Sequence, residues 1–177
     1  TAGALPDRRV TPEDAPKLAT LIPVSVDPAI KCEGSQNWVL DGIRFESNPS
    51  GYYDLIALDD CQLVYMDRLL IIAGPNGQKR AIRANSRHVT LTRSHIANIW
   101  ANGQDSQAFC AWDGAGPFTI TDNYLEAAGE NVMFGGAASS KVENIPADIR
   151  VEGNHFSKRI EWQGNHPSSV KNLFELK

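Results

Sequence analysis

Five times along this chain an apolar-x-apolar triplet is followed by a short polar corner and a further apolar residue, and no other feature limits the possible fold so sharply. The triplets are Trp38-Val39-Leu40, Leu63-Val64-Tyr65, Val89-Thr90-Leu91, Phe118-Thr119-Ile120 and Ile149-Arg150-Val151, and the residues beyond the corners are Phe45, Leu70, Ile96, Leu125 and Phe156. Successive copies begin roughly 25 to 31 residues apart, a spacing that belongs to stacked supersecondary units rather than to one wound sheet. Alternation along each triplet predicts two inward columns, Trp38/Leu63/Val89/Phe118/Ile149 and Leu40/Tyr65/Leu91/Ile120/Val151.

Each copy is followed by a second extended stretch: 54–58, 80–84, 108–112, 131–134 and 158–162. Corners such as Asp59-Asp60, Asn85-Ser86 and Asp113-Gly114 return the chain to the next copy. Short strands with no helical periodicity between them describe an all-β parallel β-helix of five to six rungs in a single domain, with the rungs spanning 37–177. Residues 10–22 read as a short N-terminal capping helix. Thr11, Pro12, Glu13 and Asp14 supply start signals, and Leu18 and Leu21 would cover the open first rung. Insertions at 74–77, 101–106, 137–146 and 163–169 are expected to bulge from the corners, where a rigid scaffold carries its function. The last segment, 170–177, has strand character with no cap behind it, so end-to-end self-association through that rung is an expected contact.

The 177 residues carry a formal charge of −4 with scattered basic side chains, which argues against nucleic acid as a partner. No apolar stretch is long enough to span a bilayer. Cys32, Cys61 and Cys110 are not at metal-ligand spacing. Cys32 and Cys61 are read either as buried thiols or as a bridge.

Three further stretches carry a family resemblance. They are Asp105-Ser106-Gln107-Ala108-Phe109, the run from Gly116 to Glu126, and Gly129-Glu130-Asn131-Val132-Met133-Phe134-Gly135-Gly136, with Gly153-Asn154-His155-Phe156 and 170–177 continuing the pattern. Together they resemble bacterial right-handed parallel β-helix proteins of the pectate-lyase-like superfamily. The resemblance is specific from about residue 85 onward. It implies a right-handed coil, an extracellular or cell-surface setting, a polysaccharide partner, and lyase, hydrolase or structural roles. It also implies that this chain is the N-terminal part of a longer β-helix.

Candidate chemistry is concentrated in the later rungs. Acids cluster at Asp105, Asp113, Asp122, Glu126 and Glu130. Glycosidic cleavage needs two carboxyl groups, whereas elimination from a uronic acid needs a base and a cation to neutralise the sugar carboxylate. Asp105, Asp113, Glu126, Glu130, His155 and Lys158 are therefore the catalytic candidates, and Trp100, Trp112, Arg159 and Trp162 the substrate-binding ones. Any one acid serves equally as a corner cap. No cofactor is expected, although the acidic corners would accept calcium without a diagnostic ligand spacing.

Three registers complete the reading. Ser94, Asn123 and Asn154 should form a hydrogen-bonded ladder. Arg93 should lie between Asp67 and Asp122, about 4.8 Å from each along the stack. Arg44, Leu69, His95, Tyr124 and His155 should share an outward column. Two Thr-x-Thr rungs, Thr90/Thr92 and Thr119/Thr121, read as an ordinary β-branched strand face.

Overall fold

The structure is a computed structural model that describes residues 4–164 and 166–177. It is a parallel β-solenoid with three strand faces, and every strand pairs in parallel with its equivalent one turn away. On face I the order is Gln36–Asp41, 62–67, 87–92, Phe118–Thr121 and Ile149–Glu152. From the first of these strands to the last, the chain completes about four turns rather than the five to six rungs expected from the repeats. The repeats count strand levels, and five stacked levels enclose four turns.

Face II stacks Ala19–Leu21, Ile43–Glu46, Leu70–Ile72, His95–Ile99, Tyr124–Ala127 and His155–Ser157. Face III stacks Ile30–Glu33, 54–59, 80–85, Gln107–Ala111, Glu130–Phe134 and Phe174–Leu176. The two long strands, Asp54–Asp67 and Arg80–Thr92, bend from face III into face I. The interior is filled by files of apolar side chains such as Ile56/Ile82/Phe109/Val132, and three phenylalanines, Phe109, Phe118 and Phe134, meet with ring centroids 5.0 to 6.3 Å apart.

The expected inward columns hold for Val89, Phe118 and Ile149 and for Leu91, Ile120 and Val151. In the second rung the expectation is off by one residue. Trp38 pairs with Val64 and Leu40 with Met66, so Val64 and Met66 are buried at 1% and 0% exposure, while Leu63 and Tyr65 face outward at 50% and 41%. The cause is a bulge. Asp59 pairs with Asn85 and Gln62 with Arg87, leaving Asp60 and Cys61 against Ser86 alone. One inserted residue exchanges the two faces of everything that follows it. The same slip places Arg68 where Asp67 was expected and moves the outward position of the next strand from Leu69 to Leu70.

At the corner between faces I and II, Gly42, Arg68, Arg93, Asp122 and Gly153 all have positive φ, from 46° to 66°. A side chain in that conformation costs about 1–2 kcal/mol. Both arginines recover favourable contacts by reaching back one rung: Arg68 forks onto Asp41 at 2.7 and 3.0 Å, and Arg93 pairs with Asp67. The second partner of Arg93 is Asp7, not the expected Asp122. Just beyond this corner runs the expected amide ladder. Asn154 Oδ1 accepts from the Asn123 N–H and Nδ2 at 2.9 Å, Asn123 Oδ1 accepts from the Ser94 N–H at 2.8 Å, and Ser94 Oγ accepts from the Leu69 N–H at 2.9 Å.

The N-terminal segment does not cap the open end with a helix over 10–22. It runs along the outside of the same corner. The Val10 N–H donates to the Arg93 carbonyl, and Arg9 donates to the Asn123 carbonyl. A single 3-10 helix, Pro12–Lys17, then turns the chain so that Ala19–Leu21 joins face II below Ile43–Glu46. The reason lies in the slipped register: Leu70 points outward, and Val10 and Leu18, with Leu5 and Ala15, cover it. The Thr11 hydroxyl does not accept a backbone N–H as the sequence suggested; the Thr11 N–H and hydroxyl both donate to Asp14 Oδ2, at 3.0 and 3.3 Å.

Two more expectations change. The stretch 158–162 is not a strand but ends in a 3-10 turn, Ile160–Trp162, and face III is continued by Phe174–Leu176 instead. Cys32 and Cys61 form a disulfide across the bulge, joining adjacent rungs, and Cys110 is a buried free thiol.

Candidate functional site

Strands of faces I and II are joined by one or two corner residues, whereas most turns between faces II and III are longer loops. Segments 47–53, 73–79, 100–106 and 158–173 all project there, so three of the four expected insertions share one edge of the coil. The fourth, 137–146, lies at the corner between faces III and I.

At the centre of the looped edge is Glu130, the first residue of its face III strand and fully buried. Its register partner is Gln107, whose own partner is Arg80. A polar ladder follows: Arg83 and Arg80 donate to Asp54 at 2.6 and 3.2 Å, Arg80 to Gln107 at 3.0 Å, and Gln107 Nε2 to Glu130 Oε2 at 2.7 Å. Glu130 Oε1 accepts no hydrogen bond among the described residues. The nearest cation is the Lys171 ammonium, 3.7 Å away, which is itself 2.5 Å from Asp105 Oδ2. Lys171 reaches this position because its own N–H bonds the Ala128 carbonyl. The Asp105 carboxylate holds the Lys171 ammonium above its ordinary pKa, so the lysine is charged at neutral pH. One exposed and one buried carboxylate thus share a single ammonium, and the Glu175 carboxyl, paired with Lys177, approaches the same group.

Lys158 stands beside this group. Its ammonium donates to the carbonyls of Ala127 and Ala128 at 2.9 Å and to that of Gly129. Burial among neutral carbonyls lowers its pKa to about 8, against a weaker opposing pull from Glu130. Arg159 turns the other way and donates to Glu126 Oε1 at 2.6 Å. Glu126 Oε1 also accepts from the Asn98 N–H at 2.9 Å, and Glu126 Oε2 accepts from the Tyr124 hydroxyl at 2.8 Å. Burial pushes this carboxyl up, but the three donors outweigh it and hold the group ionised below its usual range. Glu126 is therefore an ionised carboxylate with three of its roughly four acceptor sites filled, and it orients Tyr124.

Seven of the ten sequence candidates, Asp105, Glu126, Glu130, Lys158, Arg159, Trp100 and Trp162, lie at or beside this edge. Trp162 cannot stack on a sugar: it is buried at 2% exposure, with the Arg159 guanidinium 5.9 Å from its ring. Neither Lys158 nor Arg159 is free to neutralise a substrate carboxylate, because each is engaged within the chain. Lys171, though paired with Asp105, keeps its side chain 37% exposed at the edge.

The other three candidates are elsewhere. Asp113 caps the 137–146 loop, accepting from the Ser140 N–H and hydroxyl and from Asn144, and these donors hold its carboxyl below the ordinary range against burial. It borders a polar hollow of about 230 Å³ with Asp59, Asp60, Arg87 and Lys141. Trp112 has its ring against Arg80 and Arg83, whose guanidinium carbons are 5.4 and 5.8 Å from its centroid. His155 tilts onto Tyr124, which in turn stacks on His95 at 4.5 Å. Burial pulls the His95 imidazole below its ordinary pKa, so that ring is neutral at pH 7.

Reading the sequence missed Gln107 and Lys171. Gln107 had a usable signal, since it opens its strand just as Arg80 and Glu130 open theirs. Lys171 had none, because its arrival depends on the path of a long loop. Among the described residues, no group of three or more His, Cys, Asp or Glu side chains is arranged to hold a metal. No protein-family model, curated protein or solved structure matches this chain.

Proposed function

We propose that this protein is a right-handed parallel β-helix of the pectate-lyase-like type, extracellular or at the cell surface, that binds a polysaccharide along the looped edge and cleaves it there. The observation that carries the reading is Glu130 Oε1, a buried carboxylate oxygen with no donor, facing a lysine that a second carboxylate holds charged. An orphan acceptor of this kind costs about 1–3 kcal/mol, a penalty that a sugar hydroxyl entering the edge would relieve. In an elimination Glu130 takes the C5 proton of a uronate unit, the freed electron pair forms the C4–C5 double bond, the glycosidic C4–O bond breaks and the leaving oxygen takes a proton from water, while Lys171 neutralises the sugar carboxylate. The Cys32–Cys61 bridge supports an oxidising, extracellular setting.

Incubating the protein with a panel of uronate and neutral polysaccharides tests this reading, with ultraviolet detection of unsaturated products and assay of new reducing ends. Turnover should fall strongly in Lys171→Met and Glu130→Gln while the melting curve of Lys171→Met stays near that of the parent. Silence across the whole panel removes the enzymatic reading.

A structural role is the second reading, and one observation favours it. The inward files run in register through the last strand of face III, where Phe174 and Leu176 are uncovered. A second copy stacked end to end would set Phe174 over Ile30 and Glu175 over Lys31, joining like apolar and opposite charged positions. Light scattering coupled to size-exclusion chromatography discriminates: a strict monomer at all concentrations counts against assembly.

A further inference from the structure

A second feature of the looped edge lies among the loops of the earlier rungs. Segments 47–53, 73–79 and 100–106 enclose a cleft of about 250 Å³ lined by Ser50, Tyr52, Pro75, Asn76, Trp100 and Asn102 together with Gly51 and Ala101. Among the described residues no charged side chain lines it. That sets it apart from the Glu130 cluster and from the hollow beside Asp113.

The cleft is built rather than incidental. Gly77, at φ +73°, lies directly against the Trp100 indole, and a side chain there would collide with both the ring and the Trp100 carbonyl. His166 packs edge-on to the same indole with centroids 4.8 Å apart. Trp100 is therefore fixed from two sides, and its remaining surface borders the cleft. Asn48 accepts from the Ser50 N–H and hydroxyl and so shapes the loop that carries Tyr52. Asn76 is held by its Nδ2, which donates to the Pro49 carbonyl at 3.1 Å.

What remains unengaged defines the ligand. Among the described residues the Tyr52 hydroxyl, the Trp100 indole N–H, Asn76 Oδ1 and the Asn102 amide make no hydrogen bond within the chain. A rigid aromatic plane ringed by free donors and acceptors, with no charge, matches a pyranose ring, which has an apolar C–H face and a rim of hydroxyls. A uronate in the same place would bury its carboxylate with no cation to meet it.

We infer that the Tyr52–Trp100 cleft is a subsite for one neutral pyranose unit of the glycan. The assignment rests on the polysaccharide reading above and specifies where along the edge an uncharged unit sits. The Asn98 N–H that bonds Glu126 is two residues before Trp100, and His166 belongs to the loop that begins with Lys158 and Arg159. The cleft and the acid–lysine cluster are thus two stations on one edge. A chain alternating neutral and acidic units, or one with a neutral unit next to its cleavage point, fits both.

The test is a titration of the full chain, followed by NMR at the tryptophan indole N–H signals, with short neutral oligosaccharides of glucose, mannose, galactose and xylose and with oligogalacturonate. A neutral oligosaccharide should shift the Trp100 signal, and affinity should drop by about tenfold or more in Trp100→Ala and in Tyr52→Ala. Tyr52 is 43% exposed, so Tyr52→Ala keeps the test usable if Trp100→Ala folds poorly. Neutral binding that survives in both variants overturns the subsite, even where Lys171→Met abolishes turnover. Neutral binding that depends on Trp100 while Lys171→Met and Glu130→Gln change nothing leaves the subsite standing and removes the cleavage reading. If no sugar in the panel binds, both fall.

Discussion

Replacing Asn123 by alanine isolates the energetics of the amide ladder. Asn123 is fully buried and makes three side-chain bonds that cross rungs: its Oδ1 accepts from the Ser94 N–H at 2.8 Å, and its Nδ2 donates to the Leu91 carbonyl at 3.0 Å and to Asn154 Oδ1 at 2.9 Å. Truncation removes a donor or acceptor from all three partners, although Asn154 Oδ1 keeps its bond from the Asn123 backbone N–H. The Ser94 N–H and the Leu91 carbonyl are buried where water does not reach, at about 1–3 kcal/mol each, while Asn154 is open enough to be rehydrated. The expected loss is roughly 3–5 kcal/mol, a large part of the roughly 5–15 kcal/mol that holds a domain. The structure also contains its own rescue. Ser94 occupies the equivalent place one rung earlier, where its hydroxyl accepts from the Leu69 N–H and donates to the Thr92 carbonyl. Asn123→Ser should therefore recover about half of the loss by repeating that geometry, and Asn154→Ala, which leaves the Asn123 N–H without its acceptor but lies at the more open end of the ladder, should cost about 1–3 kcal/mol. Urea denaturation, read together with hydrogen exchange at the Ser94 amide, checks all three variants. A cost below about 1 kcal/mol for Asn123→Ala, or equal costs for Asn123→Ala and Asn154→Ala, would refute the reasoning.

The remaining expectations concern register, pH and redox state. Met66→Ala should destabilise by roughly 2–5 kcal/mol and Tyr65→Ala by about 0.5 kcal/mol, measured by chemical denaturation; the opposite order would restore the unslipped register. The Arg8 guanidinium and the Thr11 N–H hold the Asp14 carboxyl well below its ordinary value of 3.8, so its contribution is complete above that value and is lost as the pH falls through it toward the folded pKa. The stability gap between the parent and Asp14→Asn should accordingly narrow below about pH 4, as followed by thermal melts across an acid series. Reduction of Cys32–Cys61, which are 29 residues apart, should cost about 3 kcal/mol, while Cys110, its thiol pushed up to about 12 by burial, should resist alkylation until the chain unfolds, as mass spectrometry would report.

Most of the stacking was legible because it is written in local alternation repeated at one spacing. Phe118-Thr119-Ile120 and Ile149-Arg150-Val151 could be aligned by eye, and their inward residues are the ones that pack. The run Leu63-Val64-Tyr65-Met66 was not decidable in this way. Four consecutive apolar residues satisfy either register, and the residue that breaks the tie is the bulged one before them. Glu130, Asp105 and Lys158 were legible as ingredients, but Trp162 was misjudged because its burial depends on where a loop lies.

By itself, then, the sequence determined the period, the parallel stack and the amide ladder, since side-chain alternation and corner residues act over a few positions and recur in every turn. Only the tertiary structure decided which face the second rung presents, where the N-terminal segment rests, and that Lys171 meets Glu130 over Asp105. Those outcomes depend on bulges and on loops of unequal length. Such segments have no period, and their paths are set by which distant surfaces are left uncovered.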